Sequence, residues 1–542
     1  MTKKNQSIML LICLISWVSI CACSSHCHNK NKRLLCHSKP LTALNHKDMC
    51  ASVFQIKVYD TVFTEAKLIE NKEKNDSYCH VAGIIGANIK FELNLPSPDQ
   101  WNEKMLMVGN SGFAGYIEIE KSDQARIEKG YATVATNTGH DIVSGAQWAH
   151  DNIESMINFG YRAVHQTAIT AKSIIETYYN KPIRYSYFQG CSRGGSQGVM
   201  AAIRYPSDFD GIIAGAPALS WTNIGMQFFW NQKLLYPKAN QLAHATLDPK
   251  KLLLLHQMVI NQCDEIDGLK DGLIDDPRKC HLDFSKLKCS KKTSDCLSDR
   301  DIHILKQLYQ GPHNSKGLIY PGIALGSEGD PTGWFPLVVG PFPDSRLQGL
   351  PNFQYYYANG LKYLFFNDPT FQFQSFDFEN QIKELSFAGR VLNATQTNLQ
   401  SFYQLGGKLI LYHGWADALL PPSGTVQYYE KIVNDPMNGG VSNVYSFCRL
   451  FMLPGVCHCE GGYGPGNAGV ENYLTHLEHW VETNQPPDSI IASYVHPTTQ
   501  KIERQRPICA YPQKAQWIDG CQSKTYQDPI NDPNCFQCVD TQ

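Results

Sequence analysis

The chain has 542 residues, 18% of them charged, and a formal net charge of -2. That length allows a large core, with either several domains or one domain carrying a big insertion. The near-neutral balance offers no basic field for nucleic acid, and 43% hydrophobic residues exclude a disordered chain. Nineteen cysteines are too sparse for a small disulfide scaffold and many for a cytosolic enzyme, so they point to an oxidising compartment or to metal binding.

Taken in chain order, Lys3 and Lys4 precede a short apolar run, Ile8 to Ile20, too short for a comfortable membrane span. Residues 1–22 therefore read as a signal peptide, and the protein is expected to be secreted or periplasmic. Ile20-Cys21-Ala22-Cys23 nearly matches a bacterial lipoprotein cleavage box, with Cys21 a poor fit, so Cys23 is a candidate lipid anchor. No later stretch of 18 apolar residues appears, which predicts a mature chain that does not span a membrane. Residues 24–50 are polar and basic and read as an irregular arm.

Strands are predicted at Lys104–Val108, Tyr131–Thr136, Arg184–Phe188 and Gly211–Ala214. Helices are predicted over Tyr161–Tyr179 and about Gly194–Arg204. This alternation implies a parallel sheet with helices on both faces, an α/β fold. The rhythm is lost over 221–400, which reads as an inserted subdomain rich in Gly, Pro and aromatic residues. It returns at Lys408–Tyr412, with a further strand predicted over Asn443–Leu453 and an amphipathic helix over Leu474–Thr483.

Gly190-Cys191-Ser192-Arg193-Gly194 fits G-x-S-x-G between a predicted strand and a predicted helix, the context of a nucleophile elbow. The glycines permit a tight turn that projects the Ser192 hydroxyl, and the helix N-terminus favours negative charge beside it. A serine nucleophile needs a base and an orienting acid, expected here in the order Ser, Asp, His. Asp417, in a loop just past the buried strand of KLILYHGWAD, is the candidate acid. His458, in GVCHCEGG after the next strand, has the best context of the 18 histidines. His413 reads as support for the Asp417 loop. Cys457-His458-Cys459 with Cys448 nearby could be read as zinc ligands, but the spacing lacks a paired C-x-x-C. A disulfide suits these cysteines better: Cys191 precedes the candidate nucleophile, Cys459 follows the candidate base, and a bond between them would hold the two loops together.

These residues resemble the tannase and feruloyl esterase family, which also contains the enzyme that cleaves mono(hydroxyethyl) terephthalate. The family's mark is a Cys-Ser, a later Asp and a His-Cys with the two cysteines bridged, here Cys191-Ser192, Asp417 and His458-Cys459. The similarity extends to Ser77–Val81, WNEKMLMVGNSGFAG (101–115), YFQGCSRGGSQGVMAAIRYPSDFDGIIAGAPA (187–218), GGKLILYHGWAD (406–417) and RPICAYPQ (506–513). It implies an α/β-hydrolase domain in two parts, 23–220 and 401–542, with a lid domain over 221–400. It implies a serine carboxylic-ester hydrolase for esters of phenolic acids, such as galloyl or feruloyl esters. Other esters, terephthalate-type polyester fragments among them, are the alternative. A non-catalytic binding protein on a hydrolase scaffold is a weaker one, because no triad member is missing.

The oxyanion hole of such folds uses the N–H after the nucleophile, here Arg193, and one from an earlier strand–loop junction, here Gly112 by similarity. Cys263–Asp276 offers hard oxygen ligands at close spacing with glycines for sharp turns, which suits calcium although not in the EF-hand pattern. By the resemblance, Asp264, Asp267 and Asp271 bind structural calcium through side chains, and Leu269 and Leu273 through carbonyls. Cys263 and Cys280 flank that loop and are expected to bridge it. Cys289 with Cys296 follows from proximity and resemblance, and Cys509 with Cys538 is a further expected pair. Cys521 with Cys535, and Cys448 with Cys457, are weaker assignments, and Cys79 should pair with Cys36 or Cys50. Residues 351–380 hold eleven Phe or Tyr, which either stack on a flat phenolic acyl group or form a core. Arg390 and Lys362 could meet an acidic or phenolic group, although both read more naturally as surface charges.

Overall fold

The computed structural model describes residues 45–71, 76–117, 126–143, 145–290, 296–467 and 471–540. The predicted signal segment, Cys23 and Cys36 lie outside the described residues. The strands run Thr61–Asn71 (β1), Asp76–Ile85 (β2), Ile89–Pro96 (β3), Lys104–Val108 (β4), Ala132–Thr136 (β5), Tyr185–Cys191 (β6) and Gly211–Gly215 (β7). A two-residue hairpin follows, His313–Asn314 (β8) with Gly317–Leu318 (β9), then Lys408–Gly414 (β10) and Cys448–Leu453 (β11). Hairpins Ser489–Val495 (β12) with Ile502–Cys509 (β13), and Lys514–Trp517 (β14) with Phe536–Val539 (β15), complete the chain.

Nine strands form one sheet in the order β1-β2-β3-β5-β4-β6-β7-β10-β11. The joins β1/β2, β2/β3 and β3/β5 are antiparallel, and the five beyond are parallel. The sheet is thus mixed rather than purely parallel. The cause is local: β1, β2 and β3 are joined by connections too short for a parallel crossover, which needs a dozen or more residues.

Every residue of β7, β10 and β11 is buried, as expected of strands covered on both faces, although β11 is the last strand of the sheet. Side-chain alternation sorts them. Leu409 and Leu411 join the core on one face with helices Ala163–Tyr179, Arg193–Arg204 and Pro422–Asn434. Ile410 and Tyr412 face Leu474, Leu477 and Trp480 of helix Glu471–Thr483 on the other. The strand expected from Asn443 starts only at Cys448. Gly439 and Gly440 take positive φ and open a helical turn, Val441–Tyr445, in its place.

Residues 221–400 contribute no described strand to the nine-stranded sheet. Their helices Trp221–Leu235, Asp299–Gln310 and Phe353–Phe365 surround a separate apolar cluster that includes Phe229, Leu305 and Trp334. Most of the aromatic run turns inward here. Phe365, Phe373 and Phe376 pack around Phe229 with ring centroids 5.4–6.1 Å from it.

Bonded cysteine pairs are Cys50–Cys79, Cys191–Cys459, Cys263–Cys280, Cys289–Cys296, Cys509–Cys538 and Cys521–Cys535. The expected Cys448–Cys457 pair is absent: both are buried free thiols. Cys448 begins β11 and Cys457 lies beyond its other end. A six-residue strand carries the chain about 17 Å, far beyond disulfide reach.

Candidate active site

Four parallel strands, β4, β6, β10 and β11, end on the same edge of the sheet, where open α/β folds place their ligands. Ser192 stands between the end of β6 and helix Arg193–Arg204, at φ 62° and ψ -117°. A non-glycine residue is strained there by about 1–3 kcal/mol and must be held by its surroundings. Its N–H donates to Gly215 O at 2.9 Å, and its carbonyl accepts from Ala218 at 3.0 Å and Ser196 at 3.2 Å. Only glycine permits the close approach beneath it: a Cβ on Gly190 would lie 2.6 Å from Gly194.

Asp417 follows β10 and is fully buried. Its Oδ1 accepts the N–H groups of Leu419 at 2.8 Å and Leu420 at 2.9 Å. Its Oδ2 accepts from His458 Nδ1 at 2.7 Å and His413 Nε2 at 2.9 Å. Burial alone would push this carboxyl up. Attraction to His458 and hydrogen bonds from both imidazoles outweigh it and hold Asp417 well below the usual carboxylate range. His413 also binds Thr425 Oγ1 through Nδ1 at 2.8 Å, so it orients the acid and its loop.

His458 lies past β11 with its side chain 14% exposed. Because Nδ1 faces a carboxylate, it carries the proton, and Nε2 keeps its lone pair. The Cys191–Cys459 bond, with Cα atoms 6.0 Å apart, joins the residue before Ser192 to the residue after His458 across 268 positions. It brings together two loops that the sequence keeps far apart.

Gly112, at φ 51° after β4, lines one cavity with Ser192 and Arg193. Its loop is held on three sides. Asn110 exchanges hydrogen bonds with Gln197, at 2.9 and 3.0 Å, and donates to Thr136 O at 2.7 Å. His140 Nε2 donates to Phe113 O at 2.9 Å while its ring stacks on Trp148. Burial pushes the His140 imidazole down to about 4. Arg193 opens its helix, where backbone N–H groups lack intrahelical partners. Its side chain points inward instead, donating to the Phe159 and Gly160 carbonyls at the π turn Asn158–Arg162 and lying 4.2 Å from the Phe159 ring centroid. Burial pushes this guanidinium down to about 9.

The sequence reading missed His140 and Gln197. His140 has a positional signal, since it closes the turn after β5 at the same sheet edge; Gln197 has none. Of the aromatic run, Tyr357 reaches the Ser192 cavity, together with Leu361, Trp221 and Phe228. Lys362 and Arg390 do not line it. They pack over Tyr363 and Phe387.

In the Cys263–Cys280 loop, Asp264 Oδ1 accepts from the N–H groups of Asp271 and Gly272, Asp267 Oδ1 from Leu269, and Asp271 Oδ1 from Leu273. Burial, aided by the neighbouring carboxylates, lifts the half-buried carboxyls of Asp267 to about 6 and Asp275 to about 7. The oxygen donor chemistry suits calcium. The placement is less complete, because Asp271 Oδ2 is engaged by Arg506 from β13. No group of three His, Cys, Asp or Glu side chains converges as a ligand set among the described residues.

A serine on a strand–helix elbow of a mostly parallel sheet with helices on both faces defines an α/β-hydrolase-type protein. A family model described as tannase and feruloyl esterase matches residues 73–531, and the chain belongs to that family of carboxylic ester hydrolases. It is 31% identical to an uncharacterized esterase of Xanthomonas campestris over 86% of this chain and 85% of that protein. It is 28% identical to a probable feruloyl esterase B-1 of Aspergillus flavus, covering 86% and 87%. The crystal structure of feruloyl esterase B from Aspergillus oryzae superposes with TM-score 0.78 at 24% identity, covering 91% of this chain and all of that one. Tannin acyl hydrolase from Aspergillus niger gives 0.72 at 19% identity, covering 92% and 96%. At those identities the structures speak for the fold. No described helix is long and apolar enough to cross a membrane.

Proposed function

We propose that the protein is an exported serine esterase for esters of phenolic acids, of the galloyl or feruloyl kind, acting through Ser192, His458 and Asp417. The observation that carries this reading is the Asp417–His458 hydrogen bond, tied to the Ser192 elbow by the Cys191–Cys459 bond. His458 Nε2 takes the Ser192 proton as Oγ attacks the ester carbonyl. Asp417, fully ionised, stabilises the imidazolium that forms. The N–H groups of Gly112 and Arg193 receive the oxyanion, each contributing about 3 kcal/mol to the transition state. His458 then protonates the departing alcohol, leaving an acyl-enzyme, and activates the water that releases the acid. The phenolic preference rests on the aromatic and aliphatic walls of the cavity and on the names of the relatives.

Export is supported by the signal-like N-terminus and by six disulfides among the described residues, which suit an oxidising compartment. Calcium is proposed as a structural ion of the 264–275 loop. Asp264 and Asp267 would hold it through carboxylates and Leu269 and Leu273 through carbonyls, with Asp271 shared between the ion and Arg506. Residues 221–400 are proposed as the lid over the site.

Ser192→Ala should abolish hydrolysis of methyl gallate, methyl ferulate and p-nitrophenyl esters while leaving the thermal unfolding midpoint near that of the parent. A variant that keeps most of its activity would overturn the assignment. The same panel, extended to mono(hydroxyethyl) terephthalate, identifies the acyl group.

A further inference from the structure

A polar side chain from residues 221–400 reaches the edge of the Gly112 loop. Tyr357 belongs to helix Phe353–Phe365, and its hydroxyl lies 2.8 Å from where a Cβ on Gly112 would sit. Gly112 is therefore constrained twice, by its positive φ and by this hydroxyl. The ring is held against the loop itself: Tyr357 packs edge-on to Phe113, the residue after Gly112, at 5.2 Å, and against Phe228 at 6.0 Å. The helix presses on the same loop, since a Cβ on Gly360 would lie 2.6 Å from the Phe113 ring. It is also registered to the acid loop, because Gln354 Nε2 donates to Ala418 O at 3.0 Å, one residue after Asp417.

The rest of the cavity wall is apolar, with Ala218, Trp221, Ile224, Leu419 and Leu420. A hydroxyl beside Gly112 in a cavity walled by such side chains would interact strongly with a charge developing there. We propose that Tyr357 is a catalytic residue, its hydroxyl serving as a third donor to the oxyanion beside the Gly112 and Arg193 N–H groups. The proposal rests on the serine-esterase reading above. It gives residues 221–400 a part in the chemistry, adding a donor to those of the sheet's own loops.

The test is Tyr357→Phe, which keeps the ring and its packing. On a p-nitrophenyl ester, kcat should fall about 10²-fold with KM within about twofold, because the lost bond exists only in the transition state. Affinity for an aryl trifluoromethyl ketone, which forms a tetrahedral adduct with the serine, should fall by the same factor as kcat/KM. Affinity for the free acid product should stay unchanged. An unchanged kcat, or a rise in KM alone, would overturn the proposal and leave Tyr357 as a wall of the pocket. Gly112→Ala supplies a second arm, since its Cβ displaces the hydroxyl. Adding Tyr357→Phe to that variant should cost less than threefold, and a full additional 10²-fold loss would count against the shared role. Failure of the serine-esterase reading is distinguishable, because Ser192→Ala would then hydrolyse the same ester at the parent's rate.

Discussion

His140 offers a quantitative test of how the Gly112 loop is held. The ring is 6% exposed, stacks on Trp148 at a centroid distance of 3.7 Å and donates through Nε2 to Phe113 O. Burial pushes its pKa down to about 4 from the 6.5 of a free histidine. Between those two pH values the unfolded chain binds a proton that the native protein does not. The associated stability is present above pH 6.5 and is lost as pH falls towards 4. At about 1.4 kcal/mol per pH unit, the gap is worth about 3 kcal/mol. Urea unfolding of the parent and of His140→Gln, measured from pH 7 to pH 4, isolates this contribution, because every other titrating group is common to both. The stability advantage of the parent should shrink by about 3 kcal/mol across that range. Stability curves that stay parallel would refute the argument that His140 is buried neutral.

Two further expectations concern the site and the acidic loop. Asp417→Asn should lower kcat by about 10⁴-fold with little change in KM, because an amide can neither hold His458 in the Nδ1–H tautomer nor stabilise its cation; steady-state kinetics on a p-nitrophenyl ester reads this directly. Calcium removal by a chelator should lower the unfolding midpoint, and added calcium should restore it. The loss should grow as pH rises from about 4 to about 7, since carboxyls raised to about 6 and 7 at Asp267 and Asp275 favour the protonated, metal-free fold at the acid end. A midpoint indifferent to chelation at pH 7, followed by calorimetry, would remove calcium from this loop.

Local signals made much of this protein legible. Gly190 and Gly194 around Ser192 announced a tight strand-to-helix turn, and the structure has that turn, with Ser192 at positive φ. The apolar run LILY after Lys408 announced a strand buried on both faces, and β10 is one. The family resemblance is carried by contiguous motifs, and the family model, over residues 73–531, spans all of them. Periodicity was less informative where connections decide. No strand is predicted before Lys104, so β1, β2 and β3 and their antiparallel edge come from the structure alone.

The site itself needed the tertiary structure. Asp417 and His458 could be named as candidates, but their hydrogen bond, the sharing of one carboxylate oxygen between His458 and His413, and the bracing of Gly112 by Gln197 and His140 all join residues from separate loops. The same holds for Tyr357, one of eleven aromatic residues in its stretch with nothing local to distinguish it. Sequence by itself determined the Ser192 turn, the buried strand before Asp417 and several of the other strands and helices, because those preferences are set within a few residues. Only packing decided which loops meet, because burial and hydrogen bonding between distant segments depend on the whole sheet being assembled.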